Sequence, residues 1–323
     1  MEIIEFFKKS GNKVIYEEPL LGDSSGKKLY REYLKGTTEL FPLGILKIIF
    51  PDSKSDEIFI MDAIDNNYKQ DFMYCEINKI LMTNALLCNH LPKIHHHDKF
   101  KRTILVDDLG INLLSTSNIN HPSEIYLKLL DVLVEMSKFS KYIPLSNIIN
   151  KRKYDRAAME EELEELYLVL KSDVDINTVK HLFNEHLDCI IEQPLVICHR
   201  DFQSKNIILF NSKPYIIDIQ DTCMGPMLYD LVSLVFDYKI NMDSSSRNYY
   251  INYFIAKTSS HEVNAININK WIISTNIIRT AKSAGRHYKI YKETQNQESL
   301  TRHKIALDML IKLIPQLFVF FNK

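Results

Sequence analysis

The stretch from residue 194 to residue 221 constrains the fold of this chain more than any other part of its sequence. Three short apolar runs in it are typical of β-strands: residues 194–198, 206–210 and 215–217. A polar loop at residues 199–205 joins the first two runs, and a turn at residues 211–214 joins the second to the third. The sequence therefore predicts a strand, a polar loop and a hairpin, with Asp218 just beyond the last strand.

The polar residues of this stretch have the composition that phosphoryl transfer requires. His199, Arg200, Asp201 and Asn206 follow the spacing H-R-D-x-x-x-x-N. Phosphoryl transfer needs a carboxylate to position the attacking hydroxyl and oxygen ligands for Mg²⁺ on the nucleotide phosphates. We predict Asp201 as the catalytic residue, and Asn206 and Asp218 as metal ligands, because Mg²⁺ prefers carboxylate and amide oxygens. The predicted cofactors are ATP and Mg²⁺. The alternative is a purely structural cluster of polar side chains, and His199 and Arg200 are themselves predicted to brace the loop.

Length and composition are those of an ordinary globular protein. The chain has 323 residues, of which 46% are hydrophobic and 25% charged, and its formal net charge is -1. This balance gives no electrostatic footprint of nucleic-acid binding, and no apolar stretch approaches the roughly 18 residues of a transmembrane helix. We expect a small-molecule substrate, no nucleic-acid or membrane partner, and a monomer or weak dimer. Residues 1–9 are predicted to form a short amphipathic helix that carries acids, unlike a signal peptide, so we expect a cytoplasmic protein.

Neither the cysteines nor the histidines form a metal-binding pattern. The five cysteines are scattered and contain no C-x-x-C, as expected for reduced thiols in a cytoplasm. His95, His96 and His97 are consecutive, and adjacent histidines do not share a helix face. We predict that they lie in a loop and bind no metal.

The rest of the sequence divides into a strand-rich part and a helical part. The predicted strands of the first part are residues 14–16, 29–34, 45–50, 57–61 and 103–106, with one helix at residues 68–89. After Gly110, the predicted helices are residues 123–139, 154–170, 177–191, 228–237, 245–256, 269–289 and 300–321. This order predicts an α+β, protein-kinase-like bilobal fold. The nucleotide-binding N-lobe would be residues 1–109, and residues 110–323 would form a C-lobe with the catalytic loop and the substrate-binding helices.

Four further segments carry a family resemblance. Residues 22–31 resemble the pattern G-D-A-S-x-R-R-Y-x-R, and residues 60–63 resemble a strand that ends in M-D-A. Residues 154–157, with Glu162 beyond them, resemble a Y-D-R-A helix, and residues 225–231 resemble G-P-x-x-Y-D-L. With the catalytic segment, these patterns resemble the aminoglycoside-phosphotransferase superfamily. Within it, the chain is most similar to the kinases of cell-wall recycling that act on N-acetylmuramate and N-acetylglucosamine.

The resemblance implies an ATP- and Mg²⁺-dependent kinase that phosphorylates the anomeric hydroxyl of an amino sugar in peptidoglycan recycling. It also implies that Asp155 and Glu162 contact the substrate, although acidic runs of this kind usually form a solvated helix face. Two alternatives remain open: another acceptor, such as an aminoglycoside, choline or a small alcohol, and a pseudokinase that binds nucleotide without turnover. The chain departs from the family at Ile219, where Phe is usual, at Ile64, where Pro is frequent, and at residues 35–56, which resemble an insertion.

The nucleotide-binding residues are predicted from their positions in this layout. The Gly/Ser turn at residues 22–26, with Ser24 and Ser25, is a candidate cover for the phosphates. The backbone from residue 106 to Leu109, including Asp107, is the candidate hinge that offers hydrogen bonds to adenine.

The cation that contacts the phosphates is left open by the sequence. Lys47 resembles the lysine on the third strand of a kinase, and Glu76 on the following helix would be its partner. The family pattern instead places the third strand at residues 57–62, in which case Lys27, Lys28 or Arg31 would supply the charge.

Two acids follow the hairpin. Asp221 either assists the metal or ties the loop through hydrogen bonds. Asp230, at the start of a predicted helix, is predicted to accept hydrogen bonds from the catalytic loop.

Overall fold

The computed structural model describes residues 13–20, 27–35, 45–50, 70–117, 123–169, 176–240, 242–258 and 265–317. The strands in these ranges are β1 (Lys13–Leu20), β2 (Lys28–Lys35), β3 (Ile45–Ile49), β4 (Ile94–Asp98), β5 (Thr103–Asp107), β6 (Leu195–Cys198), β7 (Ile207–Phe210), β8 (Lys213–Ile216) and β9 (Cys223–Pro226). The helices are α1 (Gln70–Leu81), α2 (Ser123–Phe139), α3 (Ile148–Lys151), α4 (Arg156–Tyr167), α5 (Ile176–Ile191), α6 (Tyr229–Val235), α7 (Ser244–Thr258), α8 (Ala265–Thr294) and α9 (Gln297–Leu313). The helix predicted at residues 1–9, the turn at 22–26 and the strand at 57–61 lie outside the described residues.

The first five strands form one antiparallel sheet with the order β1-β2-β3-β5-β4. Lys47 of β3 lies opposite Tyr30 of β2 on one side and Leu105 of β5 on the other. β5 has a neighbouring strand on each edge, and its residues Ile104 and Leu105 are fully buried. Branched and aliphatic side chains suit a strand that is covered on both faces, so the sequence of β5 matches its place in the sheet.

Contacts divide the chain into two compact units, Met1–Glu135 with Asp201–Thr222, and Met136–Arg200 with Cys223–Lys323. The hairpin of β7 and β8 belongs to the first unit because the backbone before α2 binds to β7. The N–H of Leu114 donates to the Ile207 carbonyl at 2.8 Å, and the N–H of Leu209 donates to the Asn112 carbonyl at 2.8 Å. The boundary predicted between residues 109 and 110 divides the chain differently, since it assigns this hairpin to the helical part.

Within the first unit, α1 supports the turn that follows β8. Its buried side chains Met73, Tyr74, Ile77 and Leu81 recur at helical spacing and form one apolar face. α1 also packs against residues 219–221, directly after Asp218. A helix held by its apolar face therefore backs the position of this aspartate.

The second unit is built around the 30-residue helix α8, and α4, α5 and α9 pack against it. Buried apolar side chains fill the space between these helices, including Leu163, Phe183, Ile277 and Leu310. α4 and α8 approach each other closely at Gly285, where an added Cβ would lie 2.4 Å from the backbone nitrogen of Leu166. Glycine is therefore required by the spacing of the two helices at this point.

The loop predicted at the three histidines is wrong, because residues 94–98 form strand β4 on the edge of the sheet. Pairing with β5 and two side-chain contacts decide this conformation. Nε2 of His95 lies 2.7 Å from the carboxylate of Asp107, and Nε2 of His97 lies 2.8 Å from that of Asp71. These partners are distant in sequence, so local composition did not indicate them.

Two other local predictions differ from the structure. Residues Cys223–Pro226, which are not among the predicted strands, form β9 antiparallel to β6, although Gly and Pro are unfavourable in strand interiors. α9 ends at Leu313 and not at residue 321, since Pro315 has no N–H to continue the helix. The other helices predicted after Gly110 are confirmed, with ends that differ by a few residues. In the part of the chain that the structure describes, no helix is both long and apolar enough to cross a membrane.

Candidate active site

Hydrogen bonds within its own loop orient the carboxylate of Asp201. Nε2 of Gln203 donates to Asp201 Oδ1 at 2.7 Å, and Nδ2 of Asn206 donates to Oδ2 at 2.9 Å. Nδ2 of Asn206 also donates to the Asp201 carbonyl at 2.9 Å, and the ammonium of Lys205 lies 2.7 Å from Oδ2. The side chain of Asp201 is still 33% exposed. The loop therefore presents a carboxylate that is fixed in orientation but accessible.

Asp218 follows β8 and has a left-handed backbone conformation, with φ of 64°. Its Oδ1 forms an ion pair with Lys27 and accepts a hydrogen bond from Nε2 of Gln220 at 3.0 Å. Burial raises the pKa of Asp218, but the ammonium of Lys27 outweighs this effect, so the pKa lies below its usual value. The carboxylate is therefore held in its ionised form, which is the form that binds a cation.

Asn206 and Asp218 retain oxygen atoms of the kind that Mg²⁺ binds. The hydrogen bonds of Asn206 use its nitrogen, and those of Asp218 use Oδ1. Among the described residues, no group of three His, Cys, Asp or Glu side chains is arranged to hold a metal. Mg²⁺ commonly binds one or two carboxylates together with substrate phosphates. The donor set therefore fits a Mg²⁺ ion that a nucleotide brings with it.

Two of the candidate lysines have different surroundings. Lys27 lies just before β2 with its side chain 6% exposed, and it contacts Asp218. The ammonium of Lys47 lies 4.9 Å from the centroid of the Tyr30 ring. Glu76, the partner predicted for Lys47, lies 3.8 Å from Lys79. The structure thus places the ammonium of Lys27 against the candidate metal ligand Asp218, and the ammonium of Lys47 over the ring of Tyr30.

The remaining nucleotide candidates stay predictions. Ser24 and Ser25 lie outside the described residues. The backbone N–H of Asp107 donates to the Lys93 carbonyl at 3.0 Å, so this donor is already engaged within the sheet. Leu109 is buried and precedes Gly110, which has a φ of 78° and donates its N–H to a side chain.

In the second unit, Glu162 is a buried acid that contacts three donors. Its Oε1 accepts from Nη2 of Arg200 at 2.5 Å and from the ammonium of Lys282 at 2.8 Å. Its Oε2 accepts from the hydroxyl of Tyr154 at 2.5 Å. Burial raises the pKa of Glu162, but Lys282 and Arg200 outweigh it and keep the pKa below its usual value. Glu162 is therefore an ionised carboxylate inside the protein, and not a solvated helix face.

Asp155 has a different environment from Glu162. It is exposed and is the N-cap of α4, where its side chain accepts from the N–H of Ala158 at 3.1 Å. Substrate contact by Asp155 and Glu162 stays a prediction.

Asp230 holds the backbone that leads into the catalytic loop. Its Oδ2 accepts from the N–H of His199 at 2.6 Å, and its Oδ1 accepts from the N–H of Arg200 at 3.1 Å. Burial raises the pKa of Asp230 above its usual value. The prediction that Asp230 accepts hydrogen bonds from this segment is confirmed.

Several polar side chains near these acids were not predicted. Gln203 and Lys205 lie two and four residues after Asp201, so the loop motif could have indicated them. Gln220 likewise follows Asp218 by two residues. Lys282 lies in a helix far along the chain, and no pattern in the sequence pointed to it.

A strand-loop-hairpin with an oriented aspartate and two candidate magnesium ligands is the arrangement expected of a phosphotransferase. Residues 82–262, more than half of the chain, match the phosphotransferase enzyme family that includes the aminoglycoside phosphotransferases. The chain belongs to this family. It is also 27% identical over 158 residues to the N-acetylmuramate/N-acetylglucosamine kinase of Pseudomonas putida. That match covers 46% of this chain and 44% of the relative, so the chain spans less than half of the relative's length.

Solved structures with other acceptors resemble the chain over most of its length. A choline kinase from Streptococcus pneumoniae matches 96% of this chain and 98% of its own, with a TM-score of 0.62 and 17% identity. A spectinomycin phosphotransferase in complex with ADP and its substrate matches 94% of this chain and 92% of its own, with a TM-score of 0.61 and 16% identity. At these identities the likeness shows the fold alone. The prediction of an α+β, protein-kinase-like fold is confirmed.

Proposed function

We propose that this protein is a small-molecule kinase that transfers the γ-phosphoryl group of ATP to a hydroxyl group. The observation that carries the proposal is which side-chain atoms of Asn206 and Asp218 make polar contacts. Asn206 donates from its nitrogen to orient Asp201, which leaves its oxygen to bind a cation. Asp218 contacts Lys27 through Oδ1, which leaves Oδ2 to bind the same cation. Mg²⁺ bound to Asn206 and Asp218 would offset the negative charge of the phosphates during transfer.

In this proposal, Asp201 positions the acceptor hydroxyl and accepts its proton. The two donors that fix its carboxylate, Gln203 and Asn206, reduce the reorganisation needed when the acceptor binds. The ammonium of Lys205 lies 2.7 Å from the same carboxylate and would also help to hold it in place.

We propose Lys27, in place of Lys47, as the cation that binds the nucleotide phosphates. Its contact with Asp218 already places the ammonium beside one metal ligand. Ser24 and Ser25 would cover the phosphates, and the backbone from Asp107 to Leu109 would bind adenine. These last assignments rest on their positions in the sequence.

The proposed acceptor is an amino sugar, with phosphorylation at the anomeric hydroxyl of N-acetylmuramate or N-acetylglucosamine. The sequence match to a kinase of these sugars supports this choice. Such an activity would serve peptidoglycan recycling in the cytoplasm, where ATP is available, and we propose that the protein acts as a monomer or weak dimer.

A second candidate keeps the reaction and changes the acceptor to choline, an aminoglycoside or another small alcohol. It is favoured by coverage, since the likeness to a choline kinase and a spectinomycin phosphotransferase extends over more than nine-tenths of the chain. The match to the amino-sugar kinase covers 46%.

One assay tests these proposals together. Purified protein is incubated with Mg-ATP and, separately, N-acetylmuramate, N-acetylglucosamine, kanamycin or choline, and ADP release is followed. Asp201→Asn keeps the shape of the side chain but removes the base, so it should lower the rate by about 10²- to 10⁴-fold. For a sugar product, ³¹P and ¹H NMR would identify the phosphorylated hydroxyl.

Each outcome of the assay points to one reading. ADP release with a sugar that Asp201→Asn abolishes would support the amino-sugar kinase. Release with kanamycin or choline alone would support the second candidate. Nucleotide binding without ADP release from any acceptor would contradict both and favour a pseudokinase.

A further inference from the structure

The buried acid Glu162 contacts the residue that immediately precedes Asp201. Its side chain is 6% exposed and that of Arg200 is 9% exposed, and the two are joined at 2.5 Å. The guanidinium of Arg200 also lies over the ring of Tyr154, 4.6 Å from its centroid, and the Tyr154 hydroxyl donates to Glu162. Glu162, Arg200 and Tyr154 therefore contact one another and form one buried cluster within the second unit.

Arg200 has a strained backbone that needs such support. Its φ is 71°, in the left-handed region that residues with a Cβ rarely adopt. Strain of this kind persists only where the surroundings over-determine the conformation. Asp230 holds the backbone N–H of Arg200, and Glu162 holds the far end of its side chain. The residue is thus fixed at both ends, one peptide bond before Asp201.

The contacts of Glu162 fit a support better than a substrate ligand. Both of its carboxylate oxygens already accept from groups of this protein: Oε1 from Arg200 and Lys282, and Oε2 from Tyr154. These three donors take most of the roughly four acceptor sites of the carboxylate, and the side chain is only 6% exposed, so little of it is open to a sugar hydroxyl.

We propose that Glu162 is a positioning residue that acts through Arg200. It holds Arg200 in its left-handed conformation and thereby sets the direction in which the backbone delivers Asp201. The kinetic part of this inference rests on the proposed kinase activity, but the structural part does not. Loss of Glu162 would let Arg200 relax, so Asp201 would be misplaced in the transition state while nucleotide and acceptor still bind.

Two variants in neighbouring positions of α4 test the proposal. Glu162→Gln keeps the shape and removes the charge, and Glu161→Gln makes the same change at an exposed position. With the acceptor that the wild type turns over, Glu162→Gln should lower kcat by about 10²-fold, because a misplaced Asp201 affects the transition state. The KM for ATP and the KM for the acceptor should each change by less than about threefold. Glu161→Gln should change neither constant.

A double variant shows whether the effect passes through Arg200. Arg200→Met removes the guanidinium but keeps most of the apolar stem. If Glu162 acts through Arg200, the double variant Glu162→Gln, Arg200→Met should lower kcat no more than the more damaging of the two single changes, since the effects of coupled residues do not add. A double variant that multiplies the two losses would contradict the proposal. An acceptor KM that rises tenfold at unchanged kcat would show a substrate ligand and would also overturn it.

Amide hydrogen exchange provides a readout that needs no acceptor. In Glu162→Gln, the peptide that contains the amides of His199 and Arg200 should exchange at least about tenfold faster than in Glu161→Gln, because protection reports local opening. Unchanged exchange would refute the positioning role even in a protein that turned over no sugar or alcohol. An inactive wild type with faster exchange in Glu162→Gln would refute the kinase proposal and leave the support of Arg200 standing.

Discussion

Gly285 provides a sharp test of how the helices of the second unit pack. A Cβ at this position would lie 2.4 Å from the nitrogen of Leu166 and 2.7 Å from the carbonyl carbon of Glu165. Both atoms belong to the backbone of α4, so no side-chain rotation could relieve the overlap. Gly285→Ala would therefore force α4 and α8 apart.

The sign of the expected change depends on two opposing effects. Gly to Ala in a helix interior normally stabilises by about 1 kcal/mol. Overpacking usually costs about 1–3 kcal/mol, and a clash with backbone places this site at the upper end. We expect a net loss of about 2 kcal/mol in the free energy of unfolding, or a fall in Tm of roughly 3 °C at the usual ratio for chains of this size. Lys282 lies one turn earlier on the same face of α8, so its 2.8 Å contact with Glu162 should lengthen too.

Urea denaturation followed by circular dichroism measures the loss. Ser283→Ala is the control, because it raises helix propensity on α8 without a comparable backbone clash, and it should be neutral or slightly stabilising. If Gly285→Ala were as stable as Ser283→Ala or more stable than the wild type, the conclusion that α4 and α8 lie too close at this point for a Cβ would be refuted.

Three further predictions concern charged side chains. Lys27→Met should lower kcat/KM for ATP by about 10²- to 10³-fold, whereas the exposed neighbour variant Lys28→Met should change it by less than about threefold, as for loss of a preorganised charge at a phosphate. Equal losses in the two variants would refute the assignment of Lys27. Burial raises the pKa of Glu162, but Lys282 and Arg200 outweigh burial and lower it. The stability that the ionised carboxylate of Glu162 contributes is therefore present above the ordinary carboxyl pKa of about 4.3, and it is lost as pH falls through the pKa of the folded state. The difference in unfolding free energy between the wild type and Glu162→Gln should thus be largest above about pH 5 and narrow below about pH 4, and a pH-independent difference would contradict it. Asp71→Asn should lower the free energy of unfolding, measured by urea denaturation, by about 3 kcal/mol, because it leaves the buried guanidinium of Arg102 facing a neutral amide. A loss below about 1 kcal/mol would show that this buried pair matters little.

The parts of the candidate site that could be predicted from sequence are those set by local structure. Asp201 and Asn206 lie in one loop, and Asp218 follows a hairpin with short strands and a tight turn. Apolar runs and turn residues specify such a segment over a few residues, so the spacing alone placed the three side chains. Asp230 was also predictable, since an acid at a helix start beside a loop readily accepts backbone hydrogen bonds.

The parts that could not be predicted depend on contacts between distant segments. Lys27 and Asp218 are 191 residues apart, and nothing near either residue distinguishes Lys27 from Lys28 or Lys47. The histidines of β4 form a strand because β5 and two acids pair with them, although their composition suggests a loop. The same holds for Glu162, which lies in an acidic run but faces the interior. In each case tertiary contacts override local propensity.

Two strained residues lie at the positions that matter most for the proposed chemistry. Arg200 has a φ of 71° and Asp218 a φ of 64°, and for residues with a Cβ this conformation costs roughly 1–2 kcal/mol. Each is held by an ion pair within its own unit, Arg200 by Glu162 and Asp218 by Lys27. Because the strain lies next to the groups proposed to react, loss of either ion pair should release it there. We therefore expect the chemistry proposed for the motif to depend on Lys27 and Glu162, two residues outside it.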